Sequence, residues 1–123
     1  MLDLAFALLS AAALIGAGLA VNFARGPTVK RSPAAIALTH AGVGVTGLIL
    51  LFVVVRHGLP SIGNGTADFA AIATGFFGVA LLFGLLILLA AWRRRRPSGL
   101  LVATHASLAV AGIVMLLTRV TLG

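Results

Sequence analysis

Four apolar stretches divide this chain, each close to the ~20 residues that an α-helix needs to cross the hydrocarbon of a bilayer. They run from about Leu4 to Ala24, Pro33 to Val55, Ala67 to Trp92 and Pro97 to Val120. Only 9% of the residues are charged, against 61% hydrophobic, so the chain cannot cover a water-soluble core with polar surface. A soluble bundle would also show polar stripes at the helical period. The segments 36–55 and 69–92 show none beyond single Thr, His and Asp residues. The expected fold is therefore all-α: an integral membrane four-helix bundle in a single transmembrane domain spanning residues 1–123.

The cations set the expected orientation. Of nine Lys and Arg, seven fall in two short segments between apolar stretches: Arg25, Lys30 and Arg31, then Arg93, Arg94, Arg95 and Arg96. Such clusters mark cytoplasmic loops under the positive-inside rule. Both termini and the polar turn Ser61–Thr66 then lie outside the cytoplasm, as in a bacterial inner-membrane protein. A net charge of +7 would suggest nucleic acid in a soluble protein. Here every cationic cluster abuts a membrane-length apolar stretch, so nucleic acid is not expected as a partner. Pro33 and Pro97 are expected in the first turns of their helices, where a missing N–H is tolerated. Asp3 and Asp68 are expected to cap helix starts, where the helix dipole favours negative charge. Asp3 stands where a leader peptide would carry basic residues, so no cleaved signal is expected.

Sliding the sequence on itself by 65 residues brings rare residues together without a gap. Asp3 meets Asp68, Arg31 meets Arg96, and Thr39-His40-Ala41 meets Thr104-His105-Ala106. Val45, Gly47, Leu51 and Val55 meet Val110, Gly112, Leu116 and Val120. The expectation is two tandem two-helix repeats, residues 1–58 and 66–123. Each has two spans, so both copies insert in the same direction about a pseudo-two-fold axis along the membrane normal.

That symmetry gives the histidines their meaning. His40 and His105 would lie at one depth, on the order of 10–12 Å in from the cytoplasmic edge at ~1.5 Å per residue. Ionisable side chains inside a span are costly and usually face the bundle interior. Two opposed imidazoles are the axial ligand set of a b-type haem. Gly44 and Gly47 follow His40 on the same helix face, and Ala109 and Gly112 follow His105. These small residues would leave space for a flat macrocycle, flanked by Phe76, Phe77 and Phe83. Arg31 and Arg96, among the cytoplasmic cations, would meet the propionates. Thr39 and Thr104 are acceptors within reach of a ligating ring's other N–H. His57, at the outer interface, is expected to be solvated. In plan this resembles the membrane-anchor cytochromes of respiratory dehydrogenases, which hold haem between His residues of different helices. The resemblance covers the two His-bearing helices and no diagnostic motif.

Other chemistry finds less support. The chain has no cysteine, which excludes disulfides, thiolate metal sites and iron–sulfur clusters. Zinc wants four ligands, and the His pair with Met115 as a weak extra leaves that shell unfilled. Small four-span drug exporters carry an acidic residue at the centre of the first helix, where this chain reads Ala12-Ala13-Leu14-Ile15-Gly16. There is no nucleophile with a base and no phosphate loop, so an electron-transfer protein or subunit is expected rather than a stand-alone enzyme. The best reading is a membrane cytochrome with one haem b between His40 and His105, working with a redox partner subunit or quinone, as a homo- or hetero-oligomer. The alternatives are a small transporter or proton relay using the His pair, and a cofactor-free anchor or assembly subunit. Reporter fusions test the orientation. Alkaline phosphatase should be active at both termini and in the Ser61–Thr66 turn, and inactive after Arg31 or Arg96; the reverse pattern refutes it.

Overall fold

The computed structural model describes residues 1–26, 34–58, 66–93 and 95–122. Four helices account for nearly all of them: α1 (Leu2–Ala24), α2 (Ala34–Arg56), α3 (Thr66–Trp92) and α4 (Gly99–Leu122). All four are long and apolar enough to cross a membrane. Their outer faces carry exposed Leu14, Leu38, Leu82 and Val110, which water would penalise and lipid tails would not.

Each helix ends for a local reason. α1 and α2 stop at Gly26 and Gly58, with φ of 89° and 81°. This is the left-handed conformation that glycine adopts without strain. In both caps the glycine N–H donates back into the last turn, to the carbonyls of Phe23 and Val55. α4 starts at Gly99, with Ser98 as its cap: Ser98 Oγ accepts the Leu101 N–H at 3.2 Å. Pro97 thus precedes the helix instead of sitting in its first turn. Pro33, Arg31 and the turn 61–65 lie outside the described residues. Asp3 stands in the first turn of α1 but makes no side-chain capping hydrogen bond, so its contribution there is to the dipole. Asp68 stands in the first turn of α3.

The helices form a four-membered ring. α1 packs along α2 and α3 along α4 as two tight antiparallel hairpins, while α1–α4 and α2–α3 contacts close the ring. Among the described residues the diagonal pairs, α1 with α3 and α2 with α4, nowhere bring Cα atoms within 8 Å. A brace crosses between hairpins at the end where α1 stops. Arg96 Nη2 donates to the Phe23 carbonyl at 3.2 Å, and its guanidinium lies 4.9 Å from the centre of the Phe23 ring. One hydrogen bond thus ties the α3–α4 connection to the C-terminal carbonyls of α1, where a cation also opposes the helix dipole.

The half of the bundle away from that brace is the packed half. Ala5, Leu9, Leu51, Ala70, Ala73, Phe77 and Leu116 form one buried cluster. Lipid tails are as apolar as these side chains, so across a bilayer close packing rather than water exclusion would hold the helices here. Two glycines make that approach feasible. A Cβ on Gly47 would lie 2.9 Å from Leu9 Cγ, and one on Gly112 would lie 2.9 Å from Phe77 Cζ. Overfilling such a contact costs about 1–3 kcal/mol. Gly47→Ala and Gly112→Ala should therefore lower the melting temperature in detergent. Gly42→Ala, Gly75→Ala and Gly78→Ala, where a new Cβ meets nothing within 4 Å, should leave it unchanged or raise it.

Candidate functional site

His40 stands six residues into α2, counted from Ala34, and His105 six residues into α4, counted from Gly99. At ~1.5 Å per residue each lies about 9 Å from the end of the bundle bearing the basic segments. α2 and α4 are diagonal, so both side chains enter from opposite corners of the ring. The imidazoles meet, with centroids 5.9 Å apart and planes inclined by 77°.

Each ring is held by the neighbouring helix of its own hairpin. His40 Nδ1 lies 2.8 Å from the Ala12 carbonyl oxygen, and His105 Nδ1 lies 2.8 Å from that of Ala80. A carbonyl can only accept, so each Nδ1 must carry a hydrogen; in a neutral ring so held, the bare lone pair is on Nε2. That is the tautomer of a metal-ligating histidine whose other nitrogen is anchored to the protein. The anchors are backbone oxygens, not the hydroxyls of Thr39 or Thr104: Thr39 is exposed, and the described ring contacts use Ala12 and Ala80 instead.

A carbonyl inside a helix already accepts the N–H four residues later, and the side chain at that position normally crowds its second lone pair. For Ala12 the fourth residue on is Gly16, and for Ala80 it is Gly84. Both are bare, and both touch the same rings. A Cβ on Gly16 would fall 2.7 Å from His40 Cε1, and one on Gly84 would fall 3.1 Å from His105 Cε1. The spacing Ala-x-x-x-Gly therefore exposes an acceptor and seats an imidazole at once.

The two hairpins use equivalent contacts, but in two registers. On α2 and α4 the partners lie 65 apart: His40 with His105, Gly47 with Gly112. On α1 and α3 they lie 68 apart: Leu9 with Phe77, Ala12 with Ala80, Gly16 with Gly84. The three-residue difference equals the difference in length between the α1–α2 and α3–α4 connections. The contacts of α1 and α3 thus follow a different offset from the 65-residue match in the sequence. Asp3 matches Asp68 in sequence, yet the position equivalent to Asp3 in the packing register is Ala71.

The other expected site residues fall as follows. Gly47 and Gly112 receive Leu9 and Phe77 from their own hairpins. A Cβ on Gly44 would be in ordinary contact, 3.7 Å from Ala12 Cβ. Ala109 is half-buried. Arg96 is exposed and engaged with Phe23; Arg31 lies outside the described residues. Phe76 and Phe83 are half-buried on α3, and Phe77 is buried against Gly112. Two open apolar clefts lie elsewhere, one along Leu48, Ile49 and Phe52 and the other along Ile72, Phe76 and Val79; neither includes a histidine. Among the described residues no three His, Cys, Asp or Glu gather as a metal site.

The sequence reading missed Ala12, Gly16, Ala80 and Gly84. The signal was present in the paired segments Ala5-x3-Leu9-x2-Ala12-x3-Gly16 and Ala73-x3-Phe77-x2-Ala80-x3-Gly84. It is visible only at the shifted register. Compared with known proteins, the chain matches no family model, no curated protein and no solved structure.

The seat of the rings predicts a graded response. Gly16→Ala should displace His40 more than Gly84→Ala displaces His105, each costing about 1–3 kcal/mol as overpacking. Gly18→Ala, with nothing within 4 Å, should be silent. Nitrogen NMR of labelled histidine should show Nδ1–H and bare Nε2 at both positions, with the His40 pattern altered only in Gly16→Ala. A bare Nδ1 at either ring would contradict the anchoring derived above.

Proposed function

We propose that this protein is a membrane b-type cytochrome, with His40 and His105 as the two axial ligands of a single haem. The observation that carries the reading is the anchored pair. Two imidazoles from diagonal helices are each fixed through Nδ1, which leaves Nε2 for a metal, with ring centres 5.9 Å apart. An iron about 2 Å from each Nε2 would set ligand ring centres about 6 Å apart.

The donor set favours haem over a bare ion. Two nitrogens cannot complete the shell of zinc. Haem brings four in-plane nitrogens of its own and asks the protein only for axial ligands. The plane between the rings would run along the α1–α3 diagonal, and there the side chains at this level are small: Ala12 and Gly16 on one side, Ala80 and Gly84 on the other. Haem bound here supplies a one-electron couple. With both axial positions filled by protein, the site suits electron transfer within the membrane, not oxygen binding or oxygenation.

The tandem arrangement belongs to the same proposal. A two-helix unit copied once, with three residues lost from the second connection, yields two equivalent His seats facing each other. The positive-inside pattern places those seats in the cytoplasmic half of an inner membrane, with both termini on the far side.

Purified in mild detergent from haem-replete cells, the protein should show a sharp Soret band and reduced α and β bands at near one haem per chain. His40→Ala and His105→Ala should each lose the six-coordinate spectrum, and the double variant should lose haem altogether. A colourless, folded preparation that takes up no added haem refutes the cytochrome. Wild-type spectra in both single variants refute these ligands.

A further inference from the structure

Measured along α2 and α4, the histidines lie nearer the end of the bundle that bears the basic segments. His40 lies six residues from the start of α2 but sixteen from its end at Arg56, or about 9 Å against about 24 Å along the axis. His105 divides α4 in the same proportion. On the long side stands the packed cluster around Leu51, Leu116, Leu9 and Phe77. Electron tunnelling decays exponentially with distance, so a redox group between the rings exchanges electrons far faster through the short side.

That short side is also the cationic one, and its cations have no acids to pair with. Arg25, Arg93, Arg95 and Arg96 are all exposed there. The chain holds two carboxylate side chains in all, Asp3 and Asp68, and both stand in the first turns of α1 and α3, at the opposite end. Arg96 is occupied with the Phe23 carbonyl and ring. Arg25, Arg93 and Arg95 are left as a positive rim around the end nearest the histidines. A rim of one sign raises the local concentration of oppositely charged partners and orients them on approach.

We infer that this basic end docks the acidic face of a water-soluble one-electron carrier protein, which exchanges electrons with the site across the short side. The redox role rests on the haem reading; the docking does not. In one turnover the reduced carrier gives up one electron and is oxidised, and the site is reduced by one electron, with no atom transferred.

Docking is measured first, without haem. The His40→Ala/His105→Ala protein in nanodiscs of zwitterionic lipid is titrated with an acidic flavodoxin at low and high salt. Binding should weaken steeply with salt. Arg93→Glu/Arg95→Glu in the same background should weaken it at least tenfold at low salt. No binding, or binding that ignores salt and charge reversal, overturns the inference. Loss of wild-type binding when one lipid in five is anionic also overturns it, because the rim then belongs to lipid headgroups. The haem-loaded protein gives the second arm. Reduced flavodoxin should reduce it at a rate that falls with salt and falls at least tenfold in Arg93→Glu/Arg95→Glu, while reduction by dithionite is unchanged. A colourless wild type would refute the haem reading alone and leave the binding arm to judge the docking.

Discussion

An imidazole in the interior of an apolar helix bundle long enough to cross a bilayer must find its partner in protein, because no water would be at hand there. In this bundle the partner is a helix carbonyl, and much of the architecture follows from making that carbonyl reachable. Ala12 and Ala80 can accept from a second donor because Gly16 and Gly84, four residues on, leave their oxygens uncovered. The same glycines let α1 and α3 come close enough for His40 Nδ1 and His105 Nδ1 to reach 2.8 Å. Hydrogen bond, tautomer and ring position are thus consequences of one small-residue spacing. A threonine hydroxyl on the histidine's own helix could have served as acceptor, but it rotates. A backbone oxygen does not, and it fixes the ring to the neighbouring helix.

The gross fold was legible because hydropathy and charge are strong, redundant signals. The structure's four helices begin and end within two residues of the apolar stretches. The His pair was legible for a similar reason: histidine is rare in such a sequence, so His40 and His105 in one register carry information. The other half of the site was not. Alanine, glycine and leucine are so common here that the α1–α3 correspondence at 68 cannot be distinguished from coincidence by residue identity. The match of Asp3 with Asp68, made of rarer residues, pointed to the 65-residue offset, which the contacts of α1 and α3 do not share. The hydrogen bonds resolve it, because a carbonyl contact is invisible in side-chain identity. Pro97 shows the same limit on a smaller scale. Proline fits both a first helical turn and the residue before a cap, and only Ser98 Oγ on the Leu101 N–H tells them apart.

The two halves of the bundle divide the labour. Away from the basic end, Leu51, Leu116, Leu9 and Phe77 fill the centre, and Gly47 and Gly112 admit them. Towards the basic end the central side chains shrink to Ala12, Gly16, Ala80 and Gly84, and the histidines enter. Small residues therefore do two different jobs on one helix pair. At Gly47 and Gly112 they receive a large neighbour and leave no space. At Gly16 and Gly84 they receive an imidazole, and together with the alanines they keep bulk off the α1–α3 diagonal. The sequence suggests Gly44, Gly47 and Gly112 as room for a cofactor; the distance a Cβ would have to its nearest neighbour shows Gly47 and Gly112 already closed against Leu9 and Phe77.

Packing of this kind leaves the relative position of the two hairpins weakly determined by the helices alone, since contacts within each hairpin are the extensive ones. The distance between His40 and His105 is a distance between hairpins, so whatever joins the hairpins sets the geometry of the site. Two features do so, at opposite ends. The buried cluster joins residues of all four helices in the far half. Arg96, on the Phe23 carbonyl, joins them at the near end. The imidazoles lie between the two. An arginine first read as a counter-ion for a cofactor therefore acts, in the geometry observed, on the spacing of the two imidazoles. Its charge at the α1 terminus and its hold on the second hairpin come from the same side chain, and a histidine pair drawn from two hairpins depends on such a tie more than on either hairpin's own stability.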